Sequence, residues 1–174
     1  MTKHDFRLHS IDTAPEASRK NLEQVRQKFG RLPNFFAVAA ESPAAVDAYL
    51  SLSNIFRTTA LTPAEQQIVI LTASVENKCE YCVAAHSKGA KAAGVPEDVI
   101  RAIVNRVPLK DARAEALRRF VSQVVEGRGW LAEADIQAFF SQGFSKAQLL
   151  DVMVGISMKT LSNYINHMTD PPIE

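Results

Sequence analysis

One apolar helix in the middle of the chain constrains the fold more than any other stretch. Thr62 suits the N-cap of this helix, Pro63 its first position and Glu65 its first turn. The helix continues through IVILTASVENK, where Asn77 and Lys78 close it, with too few polar positions for a surface helix. The rest of the chain is therefore expected to pack around it, unless it lies between subunits.

The flanking sequence also shows helical patterns, with capping residues or breakers at the ends. The other expected helices cover residues 15–29, 43–58, 79–93, 96–107, 111–126, 132–141 and 145–167. No stretch combines sustained period-two alternation with flanking turn residues, so no sheet is assigned. The sequence predicts an all-α fold of about eight helices, with residues 1–14 as an N-terminal arm and residues 15–174 as a single domain.

The segment RLPNFFAVAAESP, residues 31–43, combines a proline turn with apolar residues, and no separate helix is assigned to it. It carries Phe35 and Phe36 side by side, and two adjacent residues cannot face the same side of a helix. Core packing is the favoured role for these rings. The alternative is that one of them lines a cavity or an interface.

Composition narrows the choice of partners and compartment. The 174 residues suffice for one domain with a real core, and 47% hydrophobic and 22% charged residues are ordinary for a soluble protein. A net charge of +1 gives no broad positive electrostatic potential that would attract nucleic acid or anionic lipid. No apolar run approaches the roughly 20 residues needed to cross a bilayer, and the first residues lack a secretory signal, so a cytoplasmic location is expected.

The chain's only two cysteines occur in the sequence ENKCEYCVAAH. On a helix, Cys79, Cys82 and His86 fall within roughly 60° of one another, so two sulfurs and an imidazole share a face. A helix N-terminus, a nearby histidine and the C-x-x-C spacing each lower a thiol pKa, and residues i and i+3 are close enough for a disulfide. One cysteine can therefore attack an oxidant and the other can resolve it.

Other interpretations of the cysteines remain open. They could pack as small apolar residues, or sense oxidants by forming a disulfide that alters oligomer contacts. A zinc site could use Cys79, Cys82 and His86, with His167 or a neighbouring subunit supplying the fourth ligand. His167 and Asn166 are otherwise interpreted as polar residues at a helix end.

The sequence LTPAEQQIVILTASVENKCEYCVAAHSKGAKAAGV resembles the core of the alkylhydroperoxidase D and carboxymuconolactone decarboxylase family. RLPNFFAVAAESPAA and SNYINHMTDPP resemble its peroxidase-related members. The resemblance implies an AhpD-like helical fold with the C-x-x-C motif at the start of a central helix. It also implies a homo-oligomer, whether dimer, trimer or hexamer, and an antioxidant oxidoreductase that reduces alkyl hydroperoxides.

By the same resemblance, Cys82 is the peroxidatic thiol, Cys79 the resolving thiol and His86 the group that takes the proton from Cys82. Tyr81 is an auxiliary proton donor. A dithiol of the lipoyl or thioredoxin type would supply electrons, and neither a cofactor nor a metal is implied. The decarboxylase branch does not use the cysteine pair, so the peroxidase is favoured; the alternative is a redox sensor or a decarboxylase-like protein without peroxidase turnover.

One position departs from the family pattern. Family members place a proton-relaying Glu twelve residues before the first cysteine, where this chain has Gln67, and an amide cannot take a proton. Glu65 lies about 200° away on that helix and is a poor substitute. Glu76 is nearer the thiols and is the candidate for orienting His86 or a water. The pattern predicts that Gln67→Glu raises peroxide turnover.

Overall fold

The computed structural model describes residues 2–174, and its regular secondary structure in that range is entirely α-helical. In chain order the helices are α1 (Glu16–Phe29), α2 (Asn34–Ala39), α3 (Pro43–Arg57), α4 (Pro63–Glu76), α5 (Glu80–Ala92), α6 (Glu97–Val104), α7 (Ala112–Glu126), α8 (Glu133–Ser141) and α9 (Lys146–Thr169). The predicted all-α class is confirmed. Within these residues, no helix has both the length and the hydrophobicity to cross a membrane.

Helix α2 is the element that the sequence analysis left out. It begins after Pro33, whose backbone is extended. Because it has only six residues, it is too short to show a helical period in the sequence. Phe35 and Phe36 are both buried, because α2 is enclosed by α1, α3 and α9. Their ring centroids lie 4.7 and 5.5 Å from that of Tyr49 on α3.

Helix α4 is the centre of the fold, as its sequence predicted. Thr62 and Glu65 form a capping box at its start, and every residue from Gln66 to Val75 except Gln67 is buried. Helices α5, α6, α7 and α9 pack around it. The end of α4 is therefore held rigidly at the point where the two cysteines follow.

Helix α9 packs closely against both α3 and α4. A Cβ atom at Gly155 would lie 2.7 Å from the Phe56 ring and 2.8 Å from the Val69 side chain, so only glycine fits at this crossing. This close approach fixes the second half of α9 beside the first turn of α5.

The N-terminal residues form an irregular segment against the helices. The backbone N–H of Lys3 donates to the Thr169 carbonyl at 2.8 Å, and that of His9 to the Ala37 carbonyl at 3.0 Å. The His9 ring contacts the Glu41 carboxylate at 2.7 Å. The segment thus lies across the ends of α2 and α9.

Candidate functional site

The two cysteines lie at the junction of α4 and α5. Lys78 has a positive φ of 57°, which ends the first helix and turns the chain into Cys79, the N-cap of α5. The first hydrogen bond of α5 runs from Val83 N–H to the Cys79 carbonyl at 2.9 Å, and Cys82 is the third helical residue. Both sulfurs therefore belong to the first turn, where the helix dipole favours an anion.

The sulfurs are buried and unbridged, and they share one hydrogen-bond donor. Cys79 and Cys82 are 1% and 3% exposed. The side-chain amide of Asn166 on α9 lies 3.1 Å from the Cys82 sulfur and 3.8 Å from the Cys79 sulfur. An amide N–H on a sulfur favours the thiolate, and the shorter distance directs this effect to Cys82.

The two thiols are electrostatically different. A hydrogen bond from the Cys79 thiol lowers the pKa of Cys82, and the positive charge of Lys159 and the Asn166 amide lower it further, against the opposing effect of burial. The same hydrogen bond, together with burial and the charge of Cys82, raises the pKa of Cys79. The surroundings therefore favour a thiolate on Cys82 and a protonated thiol on Cys79.

A buried lysine on α9 completes the site. Lys159 is 1% exposed, and its ammonium nitrogen lies 2.8 Å from Nε2 of His86. An ammonium group only donates hydrogen bonds, so the His86 ring accepts and is neutral. Burial, reinforced by the charge of Lys159, accordingly lowers the pKa of His86.

Lys159 also requires a counter-charge, because an unpaired buried ion is costly. No carboxylate in residues 2–174 forms an ion pair with it. Burial lowers the pKa of Lys159, and the charge of Cys82 opposes that shift. The thiolate of Cys82 and the ammonium of Lys159 thus form a mutually stabilising buried pair.

The three relay candidates from the sequence have different positions. Gln67 lines the same cavity as Cys82, and its buried side-chain oxygen has no hydrogen-bond partner among residues 2–174. Tyr81 also lines that cavity, where its hydroxyl accepts from the Phe35 N–H at 3.0 Å and burial raises its pKa to about 12.

Glu76 does not have the position proposed for it. Its carboxylate contacts Arg106 at 3.1 Å and accepts from the Ser122 hydroxyl at 2.7 Å, so it faces α6 and α7. It therefore does not orient His86. The sequence placed Glu76 near the thiols along the chain, but the turn at Lys78 reverses the direction between α4 and α5.

A cavity of about 530 Å³ gives access to Cys82, and its walls include His86, Lys159 and Asn166. Much of the remaining lining is aromatic or apolar: Phe29, Phe35, Phe36, Tyr49, Phe56 and Met158. Both members of the Phe pair thus line the cavity as well as being buried. This volume suits a small organic ligand.

Cys79 borders a second and more polar cavity of about 450 Å³. Asn77, Glu80, His167 and Asp170 are among its lining residues. The two sulfurs are therefore reached from different cavities.

The zinc arrangement considered from the sequence is not formed. Among residues 2–174, no three His, Cys, Asp or Glu side chains are grouped closely enough to hold a metal ion. His86 Nε2 is already engaged by Lys159, and His167 borders the cavity on the Cys79 side.

The sequence analysis missed Lys159 and took Asn166 for a helix-end residue. Both belong to a polar stripe, Lys159, Asn163 and Asn166, at spacings of four and three on the buried face of α9. Asn163 is fully buried, and its oxygen accepts from the Asn77 amide at 2.9 Å. The helical spacing of these three polar residues was the signal available in the sequence.

Solved structures of similar fold include two uncharacterized peroxidase-related proteins. The protein from Ralstonia eutropha JMP134, described as an alkylhydroperoxidase AhpD core, has 21% sequence identity and a TM-score of 0.86 over 99% of this chain and 92% of its own. The protein from Silicibacter sp. TM1040 has 21% identity and a TM-score of 0.84, with the same coverage.

The debrominase Bmp8, in a variant bound to 2,3,4-tribromopyrrole, also shares the fold. Its identity is 17% and its TM-score 0.81, over 99% of this chain and 92% of its own. At these identities the likeness concerns the fold alone. No curated protein sequence gave a significant match.

The sequence profile of the Carboxymuconolactone decarboxylase family matches residues 37–123, which include both cysteines and His86. This match covers half of the chain, and the AhpD-like structures share its whole fold. The chain belongs to the carboxymuconolactone decarboxylase family.

Proposed function

We propose that the protein is a thiol-dependent peroxidase that reduces organic hydroperoxides through Cys82 and Cys79. The observation that carries this proposal is the position of the Cys82 sulfur, which lies at the wall of an organic-sized cavity and 3.1 Å from the Asn166 amide. Cys79, Lys159 and Asn166 all lower the pKa of this thiol. A thiolate is the nucleophile in peroxide reduction, and the side chains around Cys82 stabilise that form of the sulfur.

In the first step, the Cys82 thiolate attacks the terminal oxygen of the hydroperoxide. An S–O bond forms, the O–O bond breaks, and the alkoxide leaves as the alcohol after taking a proton. The Lys159 ammonium lines the same cavity and can supply this proton, and His86, bound to it at 2.8 Å, can pass a proton between Lys159 and the cavity. Cys82 ends this step as a sulfenic acid.

In the second step, Cys79 resolves the sulfenic acid. Its sulfur attacks that of Cys82, a disulfide forms, and the hydroxyl leaves with the Cys79 proton as water. An external dithiol then reduces the disulfide through a mixed disulfide. The separate polar cavity beside Cys79 supports a route for this dithiol that does not cross the substrate cavity.

The test is peroxide consumption with dithiothreitol, and then with a lipoyl dithiol or thioredoxin as the reductant. Wild type should turn over continuously, Cys82→Ser should show no turnover, and Cys79→Ser should form a sulfenic acid that reacts with added dimedone. If Cys82→Ser consumes peroxide at the wild-type rate, the proposal is wrong. Consumption that stops at about one equivalent with every reductant would instead indicate a redox sensor.

A second candidate is reductive dehalogenation of an aromatic compound. It is favoured by the aromatic lining above Cys82 and by the fold shared with the debrominase Bmp8. The two thiols would supply two electrons: the carbon–bromine bond breaks, the ring gains a proton, and a disulfide and bromide are formed. Bromide release from a polybrominated pyrrole, absent in Cys82→Ser, would support this candidate over the peroxidase.

A further inference from the structure

The mouth of the Cys82 cavity is strongly cationic in a protein that is nearly neutral overall. Four basic side chains line it: Lys28, Arg31, Arg57 and Lys88. We call these four residues the cationic rim. The cavity has one acidic lining residue among those described, Glu174.

Two residues of the cationic rim, Arg31 and Lys88, already bind Glu174. Its side-chain oxygens contact the Arg31 guanidinium and the Asn34 backbone N–H, and the Lys88 ammonium donates to its main-chain oxygen at 2.7 Å. The Glu174 side chain is only 18% exposed. One carboxylate of the protein thus already occupies the edge of the apolar cavity.

The rim has more positive charge than Glu174 compensates. Neither Lys28 nor Arg57 forms an ion pair within residues 2–174. Partial burial and repulsion from Arg57 lower the pKa of Lys28. Two uncompensated like charges beside an apolar cavity favour an anionic ligand.

We propose that the cavity takes substrates with an apolar, preferably aromatic body and a carboxylate, which the cationic rim binds while the reacting group faces Cys82. The body is recognised by the Phe35, Phe36 and Tyr49 rings, and the carboxylate competes with Glu174 for Arg31 and Lys88. The proposal rests on the proposed peroxidase only in naming the substrate as a hydroperoxide. The preference for a carboxylate is a property of binding and can be measured without turnover.

The binding test uses 4-isopropylbenzoate and the uncharged 4-isopropylbenzamide, which have the same body, measured by titration calorimetry on the reduced full chain. The benzoate should bind at least tenfold more tightly. Arg57→Gln and Lys88→Gln should each lower the affinity for the benzoate about three- to fivefold, as expected for partly exposed charges. Neither change should alter the affinity for the benzamide. Equal affinity for the two compounds would overturn the proposal.

Two further variants control this test. Lys91→Gln makes the same change of charge on α5, but Lys91 is exposed, faces Glu97 and does not line the cavity, so it should leave both affinities unchanged. Glu174→Gln removes the carboxylate that competes for the rim and should raise the affinity for the benzoate. If Lys91→Gln weakens the benzoate as much as Lys88→Gln does, the effect is long-range charge and the proposed site is wrong.

A turnover measurement links the preference to the reaction. The carboxylated hydroperoxide, 4-(2-hydroperoxypropan-2-yl)benzoate, should have a lower KM than cumene hydroperoxide, and Lys88→Gln should raise the KM for the carboxylated compound alone. If neither compound is consumed while the benzoate still binds preferentially, the peroxidase proposal fails and the anion site stands. If both are consumed with equal KM, the anion site fails and the peroxidase stands.

Discussion

The first turn of α5 and the second half of α9 contribute differently to the same site. Helix α5 supplies the reactive atoms, which are the sulfurs of Cys79 and Cys82 and the imidazole of His86. Helix α9 supplies Lys159 and Asn166, which lower the pKa of Cys82 in addition to the hydrogen bond that it receives from Cys79. The match to the family profile, residues 37–123, includes the first set and ends before the second.

The thiols themselves therefore come from α5, whereas part of the control over their pKa comes from α9. A C-x-x-C motif at a helix start provides two thiols that can exchange electrons. The hydrogen bond between the two thiols favours ionisation of Cys82, and a charge and an amide from α9 lower the pKa of Cys82 further. These two groups are distant along the chain: Lys159 and His86, which contact each other, are 73 residues apart. Substitutions on α9 should therefore alter reactivity without removing it.

The largest effect is expected for Lys159→Met. Losing the ammonium removes the positive charge that lowers the pKa of Cys82, so the thiol should ionise at higher pH. The rate of alkylation by iodoacetamide at pH 6 should fall on the order of a hundredfold, because breaking a buried charge pair is costly. At pH values above the ordinary thiol pKa of 9.0, the alkylation rate of the variant should approach that of wild type.

Lys146→Met is the matched control, since Lys146 is exposed at the start of the same helix. It should leave the pH profile of alkylation unchanged. Chemical denaturation separates reactivity from folding, because it shows whether Lys159→Met is still folded under the conditions of the alkylation assay. An unshifted pH profile in folded Lys159→Met would show that α9 does not control the thiol.

A smaller effect in the same direction is expected for Asn166→Leu. The change removes the N–H that lies 3.1 Å from the Cys82 sulfur while filling a similar volume. A hydrogen bond to a charged group contributes about 1.5–3 kcal/mol, so alkylation at pH 6 should slow about tenfold. The control is His167→Gln at the adjacent exposed position, which should have no effect on alkylation. If it slowed alkylation as much as Asn166→Leu does, the effect would not be specific to the Asn166 amide.

The same comparison explains how much the sequence could predict. The class of fold followed from capping residues and from the scarcity of polar positions in α4, and the close approach of Cys79 and Cys82 followed from their spacing at a helix start. These are contacts over a few residues, for which spacing along the chain determines position. The sequence also identified the helix start at Cys79, because a break between α4 and α5 was visible in Asn77 and Lys78.

The parts that were missed depend on how helices pack. Nothing local shows that Lys159 on α9 lies beside His86 on α5, or that Phe35 and Phe36 on the short helix α2 both reach the cavity. The same limit applies to Glu76, which is three residues before Cys79 yet points into a different part of the core. Proximity along the chain was a poor guide wherever a turn intervened.

Glu76→Gln tests whether that carboxylate is structural. Its contacts with Arg106 and Ser122 should be weakened, with a loss of about 1–2 kcal/mol in the free energy of unfolding, measured by urea denaturation. The alkylation profile of Cys82 should be the same as in wild type. A shift of that profile would mean that Glu76 does act on the thiol site, and Ser122→Ala, which removes one of the same contacts, should likewise change stability alone.

The smallest effect is expected for Gln67→Glu. The unpaired oxygen of Gln67 lies in the cavity wall that also holds His86 and Lys159, so a carboxylate there adds a proton acceptor near the relay. Its negative charge also opposes the thiolate, so the gain should be modest, about two- to fivefold in peroxide turnover, and confined to pH values at which Cys82 is already ionised. Gln67→Met, which fills the same space without charge, should leave turnover unchanged. Equal rates for the Glu and Met variants across the pH range would contradict this prediction, because the added carboxylate would then contribute nothing to proton transfer.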